Sequence, residues 1–401
     1  MVGLDLARVQ MPLRERWESS AGSFSKRDSL LVRAVMRFKG RGGWDEAEGW
    51  GECTALPEPS FNAEYTEAAL EVSVRHLVPA LLRAGVVTAA GVSPALAAVK
   101  GHQMAKAAFE AAVLDAELRA EGARLADHLA DLSCGQEGRS PKEFVEAGVS
   151  VGLAASPGAL LATVEGYIEQ GYRRVKLKIR PGWDAVPVTA VREYWPELVL
   201  AADANCAYSA LGVPGAASAL QRLDGLGLAY LEQPLAFDDL AGHAELAGLL
   251  GTPICLDEPL TSLAAVRAAL ALAACSVVSV KPGRLGGYLE AVRVHDLCME
   301  RGVGLCCGGM VETGIGRAGN VALASLHGFS LPGDLSASGR FFDEDIAALL
   351  ALEPGGVIRV PRGPGHGVEV SAEAIGAFTI WRRWWPAAVA ETAASSLRCQ
   401  Q

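Results

Sequence analysis

The chain is short of positive charge. It carries 36 Lys and Arg against 46 Asp and Glu, a formal net charge of −10. That balance argues against nucleic acid or an anionic membrane surface as a partner, while leaving room for a local basic pocket. No run of 18 or more apolar residues occurs, so no helical membrane span is expected. The opening MVGLDLARVQMPLRERW has no basic start followed by an apolar stretch and does not read as a signal peptide. There is no CxxC among the nine cysteines Cys53, Cys134, Cys206, Cys255, Cys275, Cys298, Cys306, Cys307 and Cys399. An odd count at irregular spacing fits reduced thiols in the cytoplasm, most of them small core residues.

What the chain does have is length and apolar content. Its 401 residues are half hydrophobic and include 45 Gly, enough for a large core and two structural units. Residues 1 to about 60 read as strands, with LLVRAVMRF strand-like and GWGECTALPEPSFN turn-rich. From Ala63 to about Ala130, apolar residues recur at spacings of three and four, as in AKAAFEAAVLDAELRAEGARLADHLA, which predicts helices. Strands followed by helices suggest an α+β unit over residues 1–130.

After Ser150 the rhythm changes. The apolar runs GVSVG, RRVKLKI, LVLAADAN, LAYLEQP, TPICLDE, SVVSVKPG, GVGLCCGG and FSLPGD alternate with helical stretches. Eight such runs predict a (β/α) barrel over residues 131–335. A doubly wound sheet would need a G-x-G-x-x-G after its first strand, and none is there. Residues 336–401 lose the rhythm. FTIWRRWWPAAVAETAASSL is too aromatic for a free linker and is expected to pack back on the first unit.

Barrel enzymes keep their chemistry at the C-terminal ends of the strands. Here the second to sixth runs end on Lys178, Asp203, Glu232, Asp257 and Lys281, at steps of 25, 29, 25 and 24 residues. Glu312 follows the seventh. Inside a protein such residues are rare unless paired or bound to metal. Asp203, Glu232 and Asp257 form an all-oxygen set suited to Mg²⁺ or Mn²⁺, with salt bridges to barrel lysines as the alternative. Asn205 and Glu258 are their neighbours, placed to orient a ligand from behind. Lys178 and Lys281 come from opposed strands, so a substrate between them meets an amine on each face. That is the geometry for removing a proton on one side and returning it on the other. Lys176 points the same way as Lys178 in RRVKLKIRPG. It is expected to depress the pKa of Lys178 by like-charge repulsion, or else to pair with a carboxylate. Arg284 stands to Lys281 in the same way, or is a loop arginine.

The K-x-K, Asp, Glu, Asp, Lys series resembles the enolase superfamily, muconate-lactonizing-enzyme subgroup. The segments GWGECTALPEP, EQGYRRVKLKIRPGWD, DANCAY, YLEQPL, PICLDE, KPGRLGGYLEA, CGGMVETGIGRA and LPGDLSAS are similar to the group of o-succinylbenzoate synthases and N-acylamino acid (N-succinylamino acid) racemases. The resemblance spans the chain. It implies a modified TIM barrel, (β/α)7β, with an N-terminal α+β capping domain completed by the C-terminal tail. It also implies Mg²⁺ or Mn²⁺ on Asp203, Glu232 and Asp257, with Lys178 as base and Lys281 as acid/base on the opposite face. Lys176 and Arg284 would support them. Ser150 would lie near the substrate carboxylate. Gly309, Met310 and Glu312, with Ala21 and Phe24 of the capping loop, would shape the pocket. That loop reads SAGSFS where SFGTQS is usual, which touches side-chain selectivity; Pro259 and Cys206 also depart from the pattern. The implied reaction is o-succinylbenzoate synthesis by dehydration, a step of menaquinone biosynthesis, or N-acylamino acid racemisation. Dipeptide epimerisation fits less well. A non-catalytic carboxylate-binding member and a phosphate-binding barrel are the readings from other classes. Relatives of this kind are homo-oligomers acting on small carboxylates.

Overall fold

A computed structural model describes residues 1–387 apart from 20–21, 41–42, 86–87, 135–137 and 332. Ala21 and Cys399 therefore lie outside the described residues. Three long strands open the chain: β1 (Gly3–Ser19), β2 (Gly22–Gly40) and β3 (Gly43–Cys53). They pair antiparallel, and the alternation of β2 sorts its side chains to two sides. Leu30, Val32, Ala34 and Met36 bury against Ala105, Ala108, Phe109 and Ala112 of the helix Gln103–Glu121. Leu31 joins Val311, Ile315 and Phe341 on the other side. The helix approaches β3 closely because glycine faces it. A Cβ on Gly51 would stand 2.0 Å from the Ala108 carbonyl oxygen, and one on Gly49 would stand 2.2 Å from that of Ala112.

A short ribbon strand, β4 (Phe144–Glu146), precedes the parallel sheet. That sheet comprises β5 (Val149–Val151), β6 (Arg174–Lys178), β7 (Val199–Asp203), β8 (Leu231–Glu232), β9 (Ile254–Leu256), β10 (Val277–Val280) and β11 (Gly304–Cys307), neighbours in strict chain order. Helices connect successive strands, and several begin on side-chain caps. Ser156, Asp239 and Ser262 accept from the amides of Ala159, Gly242 and Ala265. Strand interiors are buried on both faces, as helix-covered parallel sheets require.

The eighth apolar run does not form a full strand. Phe329 makes a parallel bridge to Leu305. The amides of Leu331 and Asp334 bond to the carbonyls of Leu305 and Cys307, and the Gly148 amide bonds to that of Leu335. Residues 329–331 and 333–335 thus span from β11 to the approach of β5. The chain then forms β12 (Val357–Arg359), which pairs with β4, and β13 (Thr379–Pro386), which pairs antiparallel with β1. The first sheet therefore runs β13-β1-β2-β3. Among the described residues no helix is long and apolar enough to cross a membrane.

Candidate active site

Five of the seven parallel strands, β6 to β10, deliver a charged residue at their C-terminal ends. Lys178, Asp203 and Glu232 end β6, β7 and β8, and Asp257 and Lys281 follow β9 and β10 directly. Register places Lys178 beside Asp203 and Ala202–Asp203 beside Leu231–Glu232. A cleft of about 680 Å³, its open mouth included, lies over this rim. Its walls include Lys178, Asp203, Asn205, Lys281, Ser150, Gly309 and Met310 from the barrel, and Trp17, Phe24, Leu56 and Phe61 from the first unit.

The charged groups are knitted together. Lys178 Nζ donates to Asp203 Oδ2 and to Asn205 Oδ1, both at 2.6 Å. Lys281 Nζ donates to Asp257 Oδ2 at 2.7 Å and lies 4.6 Å from the centre of the Phe61 ring. Arg284 Nη1 donates to Asp257 Oδ1, and its other nitrogens donate to the carbonyls of Leu260 and Ser279. Asn205 bridges Lys178 to Glu258, whose Oε1 accepts at 3.2 Å.

Lys176 takes the second of its two readings and pairs with carboxylates. It does not stand as an unpaired charge beside Lys178. Its Nζ donates to Glu232 Oε2 at 2.7 Å and to Asp334 Oδ2 at 2.6 Å, and lies 3.4 Å from Asp203. Burial disfavours its charge, but Asp334, Glu232 and Asp203 outweigh that and hold its pKa well above the ordinary lysine value. Lys281 is also raised. Burial opposes the charge, Asp257 favours it more, and Arg284 pulls the other way.

The acids show the same crowding. Burial, then Asp203, Asp257 and Asp334, push Glu232 well above the carboxylate range, with Lys176 opposing. Glu258 is pushed up to about 8 by burial and by Asp257 and Asp203. Asp257 is held low against burial by Arg284 and Lys281. Asp203 is held low in the same way by Lys178 and Lys176.

Could these residues hold a divalent ion? As placed, the trio is engaged by lysines, and among the described residues no three His, Cys, Asp or Glu converge on one point. The donor chemistry nonetheless fits a hard cation. Glu232 Oε1 and Glu258 Oε2 are buried lone pairs without a hydrogen-bond partner. Among the described residues Glu258, unlike Asp203, Glu232, Asp257 and Asp334, forms no ion pair.

Ser150 lines the cleft with a buried, unpartnered hydroxyl. Gly309, Met310 and Phe24 line it too. Glu312 does not: it is drawn inward, accepting from the Met310 amide and Asn320 Nδ2 and pairing with Arg317. Sequence reading missed Asp334, Arg340, Trp17 and Phe61. For Asp334 a signal existed, since it closes the eighth apolar run as the other acids close theirs.

Comparison with known proteins finds relatives along the whole chain. Residues 159–374 match the family described as enolase C-terminal domain-like. The chain is 48% identical over 383 residues to the N-succinylamino acid racemase of Amycolatopsis sp, covering 95% of this chain and 98% of that protein. It is 39% identical over 374 residues to the o-succinylbenzoate synthase of Geobacillus stearothermophilus, covering 93% and 94%. A solved enolase-superfamily structure from Listeria innocua Clip11262 superposes with a TM-score of 0.86 at 34% identity, covering 96% and 98%.

Proposed function

This chain belongs to the enolase superfamily and is an enzyme, and we propose that it removes the proton α to a substrate carboxylate with Lys178 on one face and Lys281 on the other. One observation carries the reading: both amines, from β6 and β10, line a single cleft together with Asp203. Asp203, Glu232 and Asp257 are the residues that would hold Mg²⁺ or Mn²⁺. Bound there, the cation would take up the negative charge that grows on the substrate carboxylate as the proton leaves.

The side chains do the rest. Asp203 and Asn205 fix the Lys178 nitrogen at 2.6 Å each, so its lone pair, once free of a proton, has a defined direction. Phe61 lies across Lys281, and Trp17 and Phe24 wall the cleft, keeping water from the reacting carbon. In dehydration, Lys178 takes the α-proton and returns it to the departing hydroxide, which leaves as water, while the Lys281 charge steadies the anion between. In racemisation, one lysine takes the proton as the other, already protonated, supplies one to the opposite face.

Dehydration to o-succinylbenzoate is the leading reading. Racemisation of N-succinylamino acids is the second, favoured by the 48% identical relative of that name. A cytoplasmic, homo-oligomeric enzyme acting on a small carboxylate completes the proposal; the eight described cysteines, all free, support the reducing location. The test is an ultraviolet assay with the cyclohexadiene carboxylate precursor of o-succinylbenzoate, run with Mg²⁺, with a chelator, and with Lys178→Ala. Fast metal-dependent loss of the diene band, absent in the variant, supports dehydration. A silent assay with folded protein transfers the reading to racemisation.

A further inference from the structure

The cleft is lined by three cations, and they are not alike. Lys178 and Lys281 each hold a carboxylate. Arg340 is paired with no carboxylate of a described residue. Its Nε donates to the Tyr167 hydroxyl at 3.2 Å, its Nη1 to Ser336 Oγ at 3.1 Å, and its Nη2 to the Ser150 carbonyl. All three acceptors are neutral. A guanidinium has five N–H donors, so two remain. The group is also braced by rings, with centroids of Trp17, Tyr167 and Phe341 at 5.5, 5.1 and 4.9 Å. It is thus a fixed charge, ready for an anion that the protein itself does not provide.

A second observation lies next to it. Ser150, whose carbonyl Arg340 holds, turns a buried hydroxyl without a partner into the same cleft. A buried polar group left unpaired costs free energy that a ligand oxygen would recover. The anion has a natural source. Both relatives' names carry a succinyl group, whose terminal carboxylate is separate from the one beside the reacting carbon.

We propose that Arg340, with Ser150, receives this second carboxylate, so that the enzyme selects succinyl-bearing substrates over neutral acyl ones. The inference rests on the proton-abstraction reading and adds a specificity residue to it. The competing role for Arg340 is a mere tie between the end of β5 and residues 336–341.

Exchange of the α-proton into D₂O, followed by NMR with Mg²⁺ present, separates the two roles. The substrates are N-succinylphenylalanine and N-acetylphenylalanine. Arg340→Met is expected to lower kcat/KM for the succinyl substrate about 10- to 100-fold, chiefly through KM, and to leave the acetyl substrate within about 3-fold. Arg340→Lys should recover part of the loss. Ser150→Ala removes a hydroxyl with no internal bond and should weaken the succinyl substrate more than the acetyl one. Equal losses on both substrates overturn the proposal. Should Arg340→Met fail to fold, Arg340→Lys and Ser150→Ala decide by the same comparison. If the wild type exchanges neither substrate, the racemisation reading fails while dehydration stands, and calorimetric titration of the two compounds decides the inference. Tighter succinyl binding that Ser150→Ala or Arg340→Lys weakens upholds it; equal binding overturns it.

Discussion

Lys281 sits with its amine between Asp257 and the Phe61 ring, on the far side of the cleft from Lys178. If each amine serves one face, Lys281→Ala should leave proton exchange of one enantiomer of an N-succinylamino acid and abolish that of the other. Racemisation should fall about 10²- to 10⁴-fold, the usual worth of a positioned acid or base. Chiral chromatography and deuterium incorporation together check this; exchange of both enantiomers at equal rates would deny the division. Clearance around the same lysine supplies a second expectation. A Cβ on Gly308 would stand 2.5 Å from Lys281 Cε and 2.8 Å from Ser279 Oγ. Gly308→Ala should therefore displace the amine and cost at least about tenfold in kcat, since misplacement by an ångström is costly. Circular dichroism should remain native; an unaffected kcat would show that the lysine yields freely. At this scale the sequence was informative about Lys178 and the trio, because each closes an apolar run. For Lys176 it left two readings open, repulsion of Lys178 and pairing with a carboxylate, and could not choose between them. Repulsion by a neighbour two residues away is visible in a sequence, whereas Glu232 and Asp334 are 56 and 158 residues away.

Between elements, carboxylates from one unit hold helix starts of the other. Glu52 accepts from the amides of Thr313 and Gly316, and Asp345 from that of Gly314, at the head of the helix Gly314–Ala324. Glu110, on the helix Gln103–Glu121, accepts from the Leu289 amide in the first turn of the helix Tyr288–Arg301. That second helix follows Lys281 within a few residues. Burial pushes Glu110 up from 4.5 to about 8; the backbone amides of Leu289 and Tyr288 and the charge of Arg293 oppose this, and Glu290 adds to it. The folded protein thus holds a proton there that the unfolded chain has lost. Stability from this group is full below about pH 4.5 and drains away as pH rises towards 8. Glu110→Gln keeps an acceptor and removes the titration. Its melting temperature relative to wild type should rise between pH 6 and pH 9; parallel curves would show that Glu110 is ionised throughout. The strand-end steps of 24 to 29 residues made the barrel legible, because a repeating unit returns each strand to the same rim. The eighth run was less so, since its pairing depends on Leu305, Cys307 and Gly148 and not on its own pattern.

For the molecule as a whole, the cleft is a joint product. Trp17, Gly22, Phe24, Leu56, Ser60 and Phe61 come from the first 61 residues and the remaining walls from the barrel and the segment after it. Trp17 and Arg340 were not legible because side chains so far apart in sequence meet only once distant elements have packed. β1 carries Trp17 and is flanked by β13, with Arg382 on Asp5 at 2.6 Å. A chain ended after Phe378 should lose at least about 5 °C in melting temperature and bind substrate more weakly. Calorimetry and KM check this, and an unchanged KM would show that the Trp17 arm stands without its edge partner. The β1–β13 pairing has a further consequence. The Ala387 amide bonds to the Val2 carbonyl at 2.8 Å, so the described polypeptide all but bites its own tail. A short tether across that gap would make a ring, and the ring could be reopened at an exposed turn such as Gly225–Gly227. The catalytic cleft should survive such a circular permutation, because it depends on which strands are neighbours and not on which is made first.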